Sequence, residues 1–358
     1  MASIPVQSIG PITFSPSGIL FAADNVSATI TALDLSGDTA PVTGRYTIEN
    51  LDARLASWLG CPREDVFIRD LAVHPISGRL YLSVMRGTGA AGVPVLVSVT
   101  PDGTFTDVPL TATPAGQTAI ADAPAEDDAR QDGWVVQGTR DGEWFDVPSM
   151  KTRLRVARSP LRTVTVTDLA FVDGVLLVAG ASNEEFVSTL RRIPYPFDGS
   201  ATSSSLEIFH VSHQKYETHS PIRTFMPYGG DGVLATYTCT PVVHFPLKDL
   251  VGGTQARGRT VAELGGGNTP IDMVAYERDG ERFVLVSNSR HPLMKMRARD
   301  IDQQPALTEP REPVGVPRQH LPQRGVGRMV NANGRDVLML QMDEDERYHL
   351  RAYSTAAL

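Results

Sequence analysis

ITFSPSGILFAA, residues 12–23, is an apolar run, a four-residue turn ending on glycine, and a second apolar run. That is the pattern of a β-hairpin whose strands are covered on both faces. The unit recurs five times. Residues 71–73 turn through 74–78 into 80–84, residues 169–172 turn at Asp173 and Gly174 into 175–178, and residues 222–226 lead to a turn ending at Gly232. Residues 271–276 turn at Asp279 and Gly280, and Met329 and Val330 turn at Asn333 and Gly334. The turn glycines 18, 78, 174, 232, 280 and 334 are therefore spaced by 60, 96, 58, 48 and 54 residues. Units of about 40–50 residues, each able to hold four short strands, are the signature of a β-propeller. An all-β propeller is the expected fold.

The rest of the chain fits that frame. Its 358 residues form a single propeller domain over 1–358, and one helix stands out, Leu51 to Leu59, preceded by Asn50 and stopped by Gly60. Leu51, Leu55, Trp58 and Leu59 share its apolar stripe. The long gap of the repeat, 111–160, is a long insertion or an irregular blade: 111–133 reads as a solvated loop rich in Ala, Pro, Asp and Thr, and 134–144 as a hairpin. The ring has six blades if this segment is an insertion, the preferred reading because it lacks the inner-strand pattern, and seven if it is a blade.

Composition narrows the function. Basic residues number 33 against 41 acidic, a net charge of -8, which repels a phosphate backbone and excludes nucleic acid as an expected partner. Two cysteines, Cys61 and Cys239, are too few for a disulfide framework or a structural zinc site. They form one bridge or two free thiols. No apolar run reaches the roughly 18 residues of a membrane span, and the first residues carry no export signal. The expectation is a soluble chain, cytoplasmic as written or exported if a signal peptide has been removed.

In a propeller the first strand of each blade lines the central channel, so equivalent positions form a ring. The residue opening each inner strand is Pro11, Asp70, Asp168, Arg223, Asp272 or Arg328. Three carboxylates and two guanidiniums are expected at one mouth of the channel. There they either pair with each other or hold a metal or an anion, with Arg223 or Arg328 gripping a carboxylate or phosphate. Second strands end on the same face, adding Asp24, Asn25, Arg86, Ser182, Asn183, Glu184, Glu185, Cys239, Thr240, Asn288, Ser289, Asp343 and Glu344. Such hard oxygen donors suit calcium or magnesium. His210, His213 and His219 fall within ten residues, and His219, His244, Tyr237 and Cys239 offer copper or iron ligands for a redox site. The G-x-G-x-x-G at Gly87, Gly89 and Gly92 leads into a strand rather than a helix, which excludes a dinucleotide site.

Residues 68–75 (IRDLAVHP), 167–174 (TDLAFVDG), 182–186 (SNEEF), 237–241 (YTCTP) and 269–273 (TPIDM) resemble a group of uncharacterised bacterial β-propeller proteins. The resemblance implies the fold and no activity. More distantly, the Asp and Asn residues at the channel mouth are similar in kind to those of six-bladed metal-dependent lactonases and phosphotriesterases, which implies a calcium on the axis.

The leading expectation is a propeller that binds a metal ion or small polar or anionic ligand at the channel mouth, with metal-assisted hydrolysis as its chemistry. Asp24, Asn183, Asp272 and Asn288 would hold a divalent ion, Asp70 or Asp168 would serve as base, with His219 as a further catalytic candidate, and Arg223 would orient the substrate. Arg328, Arg86, Asn25 and Glu184 complete the ligand-binding candidates. The alternatives are a non-catalytic scaffold for a protein partner and the copper or iron redox protein.

Overall fold

A computed structural model of the chain describes residues 4–358 apart from 112, 137, 138, 140, 149–151, 239, 240 and 310–314. The first hairpin is β1 (Ile12–Phe14) and β2 (Ile19–Asp24), followed by β3 (Thr29–Asp34). The chain then crosses through β4 (Thr47–Ile48) and helix α1 (Leu51–Leu59) to a second meander, β5 (Val66–Val73), β6 (Leu80–Arg86), β7 (Val93–Val99) and β8 (Phe105–Asp107). Next comes β9 (Pro114–Ala119), which turns back to pair with β3 as the fourth strand of the first sheet. The solvated loop expected over 111–133 is thus partly a structural strand.

A separate three-stranded sheet follows, built from β10 (Gln131–Val135), β11 (Glu143–Val147) and β12 (Thr152–Pro160), with β12 in the middle. The third blade has β13 (Asp168–Val172), β14 (Val175–Ala181), β15 (Ser188–Pro194), β16 (Thr202–His210) and the short return β17 (Lys215–Glu217). The fourth has β18 (Ile222–Tyr228), β19 (Gly232–Tyr237) and β20 (Pro241–Pro246), then β21 (Gln255–Arg257), which pairs back with β16, and β22 (Arg259–Glu263). The fifth has β23 (Pro270–Arg278), β24 (Glu281–Asn288), β25 (Met294–Arg297), helix α2 (Ala298–Gln303) and β26 (Arg318–His320). The sixth has β27 (Val326–Ala332), β28 (Asp336–Met342) and β29 (Tyr348–Ser354), completed by β4 from the other end of the chain.

Six inner strands close a ring in the order β5, β1, β13, β18, β23, β27 and back to β5. The fold is a β-propeller. The three-stranded sheet adds no strand to that ring, while β4 and β9 stitch the N-terminal segment into the last and first sheets. A propeller has no single core. Each blade instead buries both faces against its neighbours, so its middle strands read as continuous apolar runs: β19 is buried at all six residues and β2 at its last five. Six apolar clusters lie one per blade interface, for example Phe21, Ile30, Leu176 and Val178 between the first and third blades. In α1, Gly60 takes the left-handed conformation and ends the helix as expected. Asn50 is itself left-handed and makes no side-chain cap, and Trp58 leaves the buried stripe to lie exposed beside Phe105.

Gly180 in β14 marks where the insertion rejoins the ring: a Cβ there would lie 2.0 Å from the carbonyl oxygen of Thr165 and 2.9 Å from that of Val164. These carbonyls belong to the single turn that leads out of β12. Gly180→Ala is expected to lower stability by about 2 kcal/mol, because backbone rather than a flexible side chain must yield. A urea unfolding curve would show a lower midpoint at unchanged slope.

Candidate functional site

The inner strands β5, β18, β23 and β27 each carry a register shift near their first residues, at Ile68/Asp70, Ile222/Thr224, Pro270/Asp272 and Val326/Arg328. A bulge sends its extra residue to one side and re-aims the next. The positions that reach the axis are Pro11, Asp70, Asp168, Thr224, Asp272 and Arg328. In ring order they alternate strictly between an aspartate and another residue. Each aspartate accepts two backbone N–H groups, one from its own strand and one from the next blade. Asp70 takes Leu71 N at 2.8 Å and Ile12 N at 2.9 Å. Asp168 takes Leu169 N and Phe225 N, both at 2.8 Å, and Asp272 takes Met273 N at 2.7 Å and Met329 N at 2.5 Å. Thr224 donates its hydroxyl to Asp168 at 2.8 Å. Arg328 donates to the carbonyl oxygens of Arg69 at 2.9 Å and Ile271 at 3.0 Å, tying the sixth blade to both neighbours.

Electrostatics in this recess favours proton uptake. Burial raises Asp70, with Arg328 opposing the shift. Burial, then the charge of Asp70, pushes Asp168 up to about 6. Burial also pushes Asp272 up to about 7 against the pull of Arg328, with Asp168 and Asp70 adding to the rise. Burial works against the charge of Arg328, but the three carboxylates outweigh it and raise its pKa.

The bulge residues themselves point elsewhere, and this corrects one expectation. Arg223 does not join the axial ring. Its guanidinium binds Asp132 on β10, lies 4.5 Å over the ring of Trp134, and donates to Thr238 at 2.5 Å. Arg69, at the matching bulge of β5, binds Asp141 at 2.6 Å. The β5 and β18 blades stand opposite each other in the ring, so the β10–β12 sheet is pinned at two diametric points and spans the axis as a lid. Arg155 adds a third tie, to Glu346 between β28 and β29, at 3.1 Å.

Between this lid and the fifth and sixth blades opens a cleft of about 840 Å³. Trp144, Arg153 and Arg155 line it from the lid, and Arg290, Gln323, Arg324, Arg351 and Tyr353 from the ring. Asp343, Glu344, Glu346 and His349 also border it, so five arginines face three carboxylates in a chain of net charge -8. Many of these charges are engaged. Arg351 pairs with Glu49 at 2.9 Å, and His349 sits between Glu49 and Asp343, 3.1 Å from the latter. Burial opposes ionisation of Asp343, yet hydrogen bonds from Arg347 and His349 hold it well below the usual carboxylate range. Arg324 is exposed, and its guanidinium has no partner among the described residues. Gln323 buries its Oε1 without a hydrogen bond.

The other expected site residues have structural work of their own. Asp24 is fully buried and its two oxygens accept from Gln7 N, Ser8 Oγ, Val26 N, Ser27 N and Ser27 Oγ at 2.5–3.1 Å, which leaves no lone pair for a metal. Asn25 pairs with both backbone groups of Val166, at 2.8 and 2.9 Å, locking the first blade to the third. Asn288 accepts from Asn268 at 2.9 Å. Asn183 and Glu184 are exposed, and their carbonyl oxygens accept from Arg130. Arg86 reaches the carbonyl oxygen of Leu59 at the end of α1, at 3.4 Å. Of the four metal-ligand candidates only Asp272 lies at the axis.

The expected redox set does not assemble either. Tyr237 is buried in the core between the third and fourth blades, His244 packs edge-on against Tyr228, His219 is exposed, and Cys239 lies outside the described residues. Cys61 carries a free thiol. Thr224, Asp132, Asp141 and the cleft were missed. The signal for Thr224 was present: Ile68-Arg69-Asp70-Leu71 aligns with Ile222-Arg223-Thr224-Phe225 when the apolar residues are matched.

No family model matches the chain, and no curated protein sequence does. Among solved structures it is similar to virginiamycin B lyase from Staphylococcus aureus, at 10% identity over 98% of this chain and 96% of that one, with a TM-score of 0.39. It is similar to the β-propeller domain of Myceliophteria thermophila Cps50 (Swd1), at 11% identity over 97% and 84%, with a TM-score of 0.37. It is also similar to Drosophila semaphorin 2a, at 8% identity over 99% and 74%, with a TM-score of 0.44. These are likenesses of fold. No helix of the described residues is long and apolar enough to cross a membrane.

Asp168 and Asp272 are raised above the ordinary carboxylate value of 3.8, so the folded state keeps protons that the unfolded chain releases. Their contribution to stability is fully present below about pH 4 and is lost as pH rises through about 6 to 7. Arg328→Met, which removes the counter-charge, is expected to cost about 3 kcal/mol at pH 8 and clearly less at pH 5. Urea unfolding at the two pH values measures this; equal losses would refute it.

For the lid, Asp132→Asn combined with Asp141→Asn removes the counter-charges of the buried Arg223 and of Arg69, and the loosening should fall on the lid first. Amide exchange in 131–135 and 143–147 should accelerate by about tenfold or more. Exchange at the wild-type rate would mean that the two arginine ties do not hold the lid.

Proposed function

We propose that this protein binds a small organic anion, a carboxylate or phosphate ester carrying a planar ring, in the cleft between the lid and the fifth and sixth blades. The observation that carries the reading is the charge and shape of that cleft: about 840 Å³, five arginines against three carboxylates, and Trp144 on its lid side, in an otherwise acidic protein. That volume suits a small molecule. Guanidiniums recognise carboxylate and phosphate through paired N–H donors, and Arg324 has such donors to offer. Trp144 is half exposed, with Arg153 and Arg155 lying 5.5 and 5.7 Å from its ring, a surface on which a planar group can stack.

The hydrolytic reading needs Asp24, Asn183, Asp272 and Asn288 around one ion, but Asp24, Asp272 and Asn288 are engaged by protein partners of their own and Asn183 is exposed on the third blade. Ligand binding in the cleft is therefore the function proposed, and its occupant replaces the channel-mouth ligand expected from sequence.

Phenyl phosphate and benzoate should raise the melting temperature in a concentration-dependent way, whereas benzyl alcohol should not. Arg324→Ala and Trp144→Ala should each weaken phenyl phosphate by about tenfold, roughly 1.4 kcal/mol, in calorimetric titration. Failure of both anions to bind at millimolar concentration, or equal binding by the variants, would overturn the reading.

A further inference from the structure

On the outer edge of the third blade, β16 turns into β17 through the single turn Val211–His213. This tight return folds three potential ligands onto one another. His210 is buried at the end of β16, His213 is exposed in the turn, and Glu217 is half-buried on β17, opposite Ile208. Glu217 Oε2 lies 3.0 Å from His210 Nδ1, and Oε1 lies 2.7 Å from His213 Nδ1. The two imidazole rings are 3.9 Å apart. Among the described residues this is the one group of three His, Cys, Asp or Glu side chains whose ligand atoms all fall within 4.8 Å of one another.

A second carboxylate stands behind the first group. Glu263, buried at the end of β22 on the fourth blade, accepts the backbone N–H of Ser212 at 3.1 Å and the Ser212 hydroxyl. Its Oε1 lies 3.7 Å from His210 Nε2. A carboxylate placed behind an imidazole, as Glu263 is behind His210, can orient the ring of a metal-ligating histidine. In the metal-free protein His210 Nδ1–H donates to Glu217, and a cation bound there takes the place of that proton. The Lys215 ammonium, 3.3 Å from Glu217 Oε1, supplies an exposed and displaceable counter-charge.

The geometry points to a divalent transition-metal site formed by His210 Nδ1, His213 Nδ1 and a Glu217 carboxylate oxygen, with Glu263 orienting His210. Two imidazoles and one carboxylate suit zinc rather than calcium or magnesium. Tetrahedral zinc with bonds near 2.0–2.1 Å sets its ligand atoms about 3.3 Å apart, against 3.0 and 2.7 Å from the Glu217 oxygens to the two Nδ1 atoms, so the imidazoles must open away from the carboxylate to admit the ion. The exposed side of His213 leaves the fourth position open to water. Because Glu263 belongs to the fourth blade, the ion would clip the β16–β17 return to its neighbour, apart from both the axial ring and the cleft.

The test is titration of chelator-stripped full-length protein with zinc by calorimetry and with cobalt(II) by visible absorption. One equivalent per chain is expected, with the intense d–d bands of a tetrahedral ion. His213→Ala and Glu217→Gln should lose the cobalt spectrum and weaken zinc at least tenfold. Glu263→Gln should weaken zinc by about 10- to 100-fold while keeping one equivalent. His213 is exposed, so its variant should melt like the metal-free wild type, which separates loss of the site from loss of the fold. Absence of stoichiometric binding, or binding unaffected by His213→Ala and Glu217→Gln, would overturn the proposal.

Discussion

Backbone N–H groups at the heads of the inner strands converge on a narrow recess, where an unpaired donor is costly. Three carboxylates serve six of them. Each aspartate bonds one N–H of its own strand and one of the adjacent blade, so the three residues are both caps for the strands and staples between blades. The non-acidic positions complete the ring: Thr224 donates to Asp168, Arg328 bonds carbonyls on both sides, and Pro11 brings no N–H to be satisfied. The arrangement places three acids near one guanidinium, and the raised pKa values of Asp168 and Asp272 are the electrostatic cost of that geometry.

The bulges that aim Asp70 and Thr224 inward aim Arg69 and Arg223 outward. One local irregularity thus performs two tasks: it closes the ring and anchors the lid over it. The anchoring matters because β11, at one edge of this small sheet, is exposed along most of its length and packs on no other sheet among the described residues. Held by Asp132, Asp141 and Arg155, the sheet forms a wall, and the cleft exists only because that wall faces the rim of the sixth blade. The chain is acidic overall, yet its lid and rim gather arginines at this one place.

Much of the ring was legible because each blade repeats a short apolar code. The glycine turns, the continuous apolar strands and the Asp-Leu or Asp-Met pairs at 70–71, 168–169 and 272–273 all report a local requirement. Arg223 was misplaced for an equally local reason: a bulge shifts side-chain direction by one residue, and counting from the strand start rather than from the apolar pair turns the wrong residue inward. Asp24, Asn25 and Asn288 looked like ligands because hairpin ends are polar, but hydrogen bonds within and between blades consume them. Nothing in their residue types distinguishes a carboxylate that caps a turn from one that awaits a metal.

What the amino-acid order determined by itself is the repeating hairpin and hence the propeller, since alternation of apolar runs and turn glycines acts within a few residues. The tertiary structure decided the rest. Only it shows that β4 and β9 cross between blades, that the 131–160 segment is a lid rather than a blade, and that its arginines meet those of the rim around a cleft. Those relations join residues 72 or more positions apart, and they depend on the direction in which each blade is added to the ring, which no local pattern encodes.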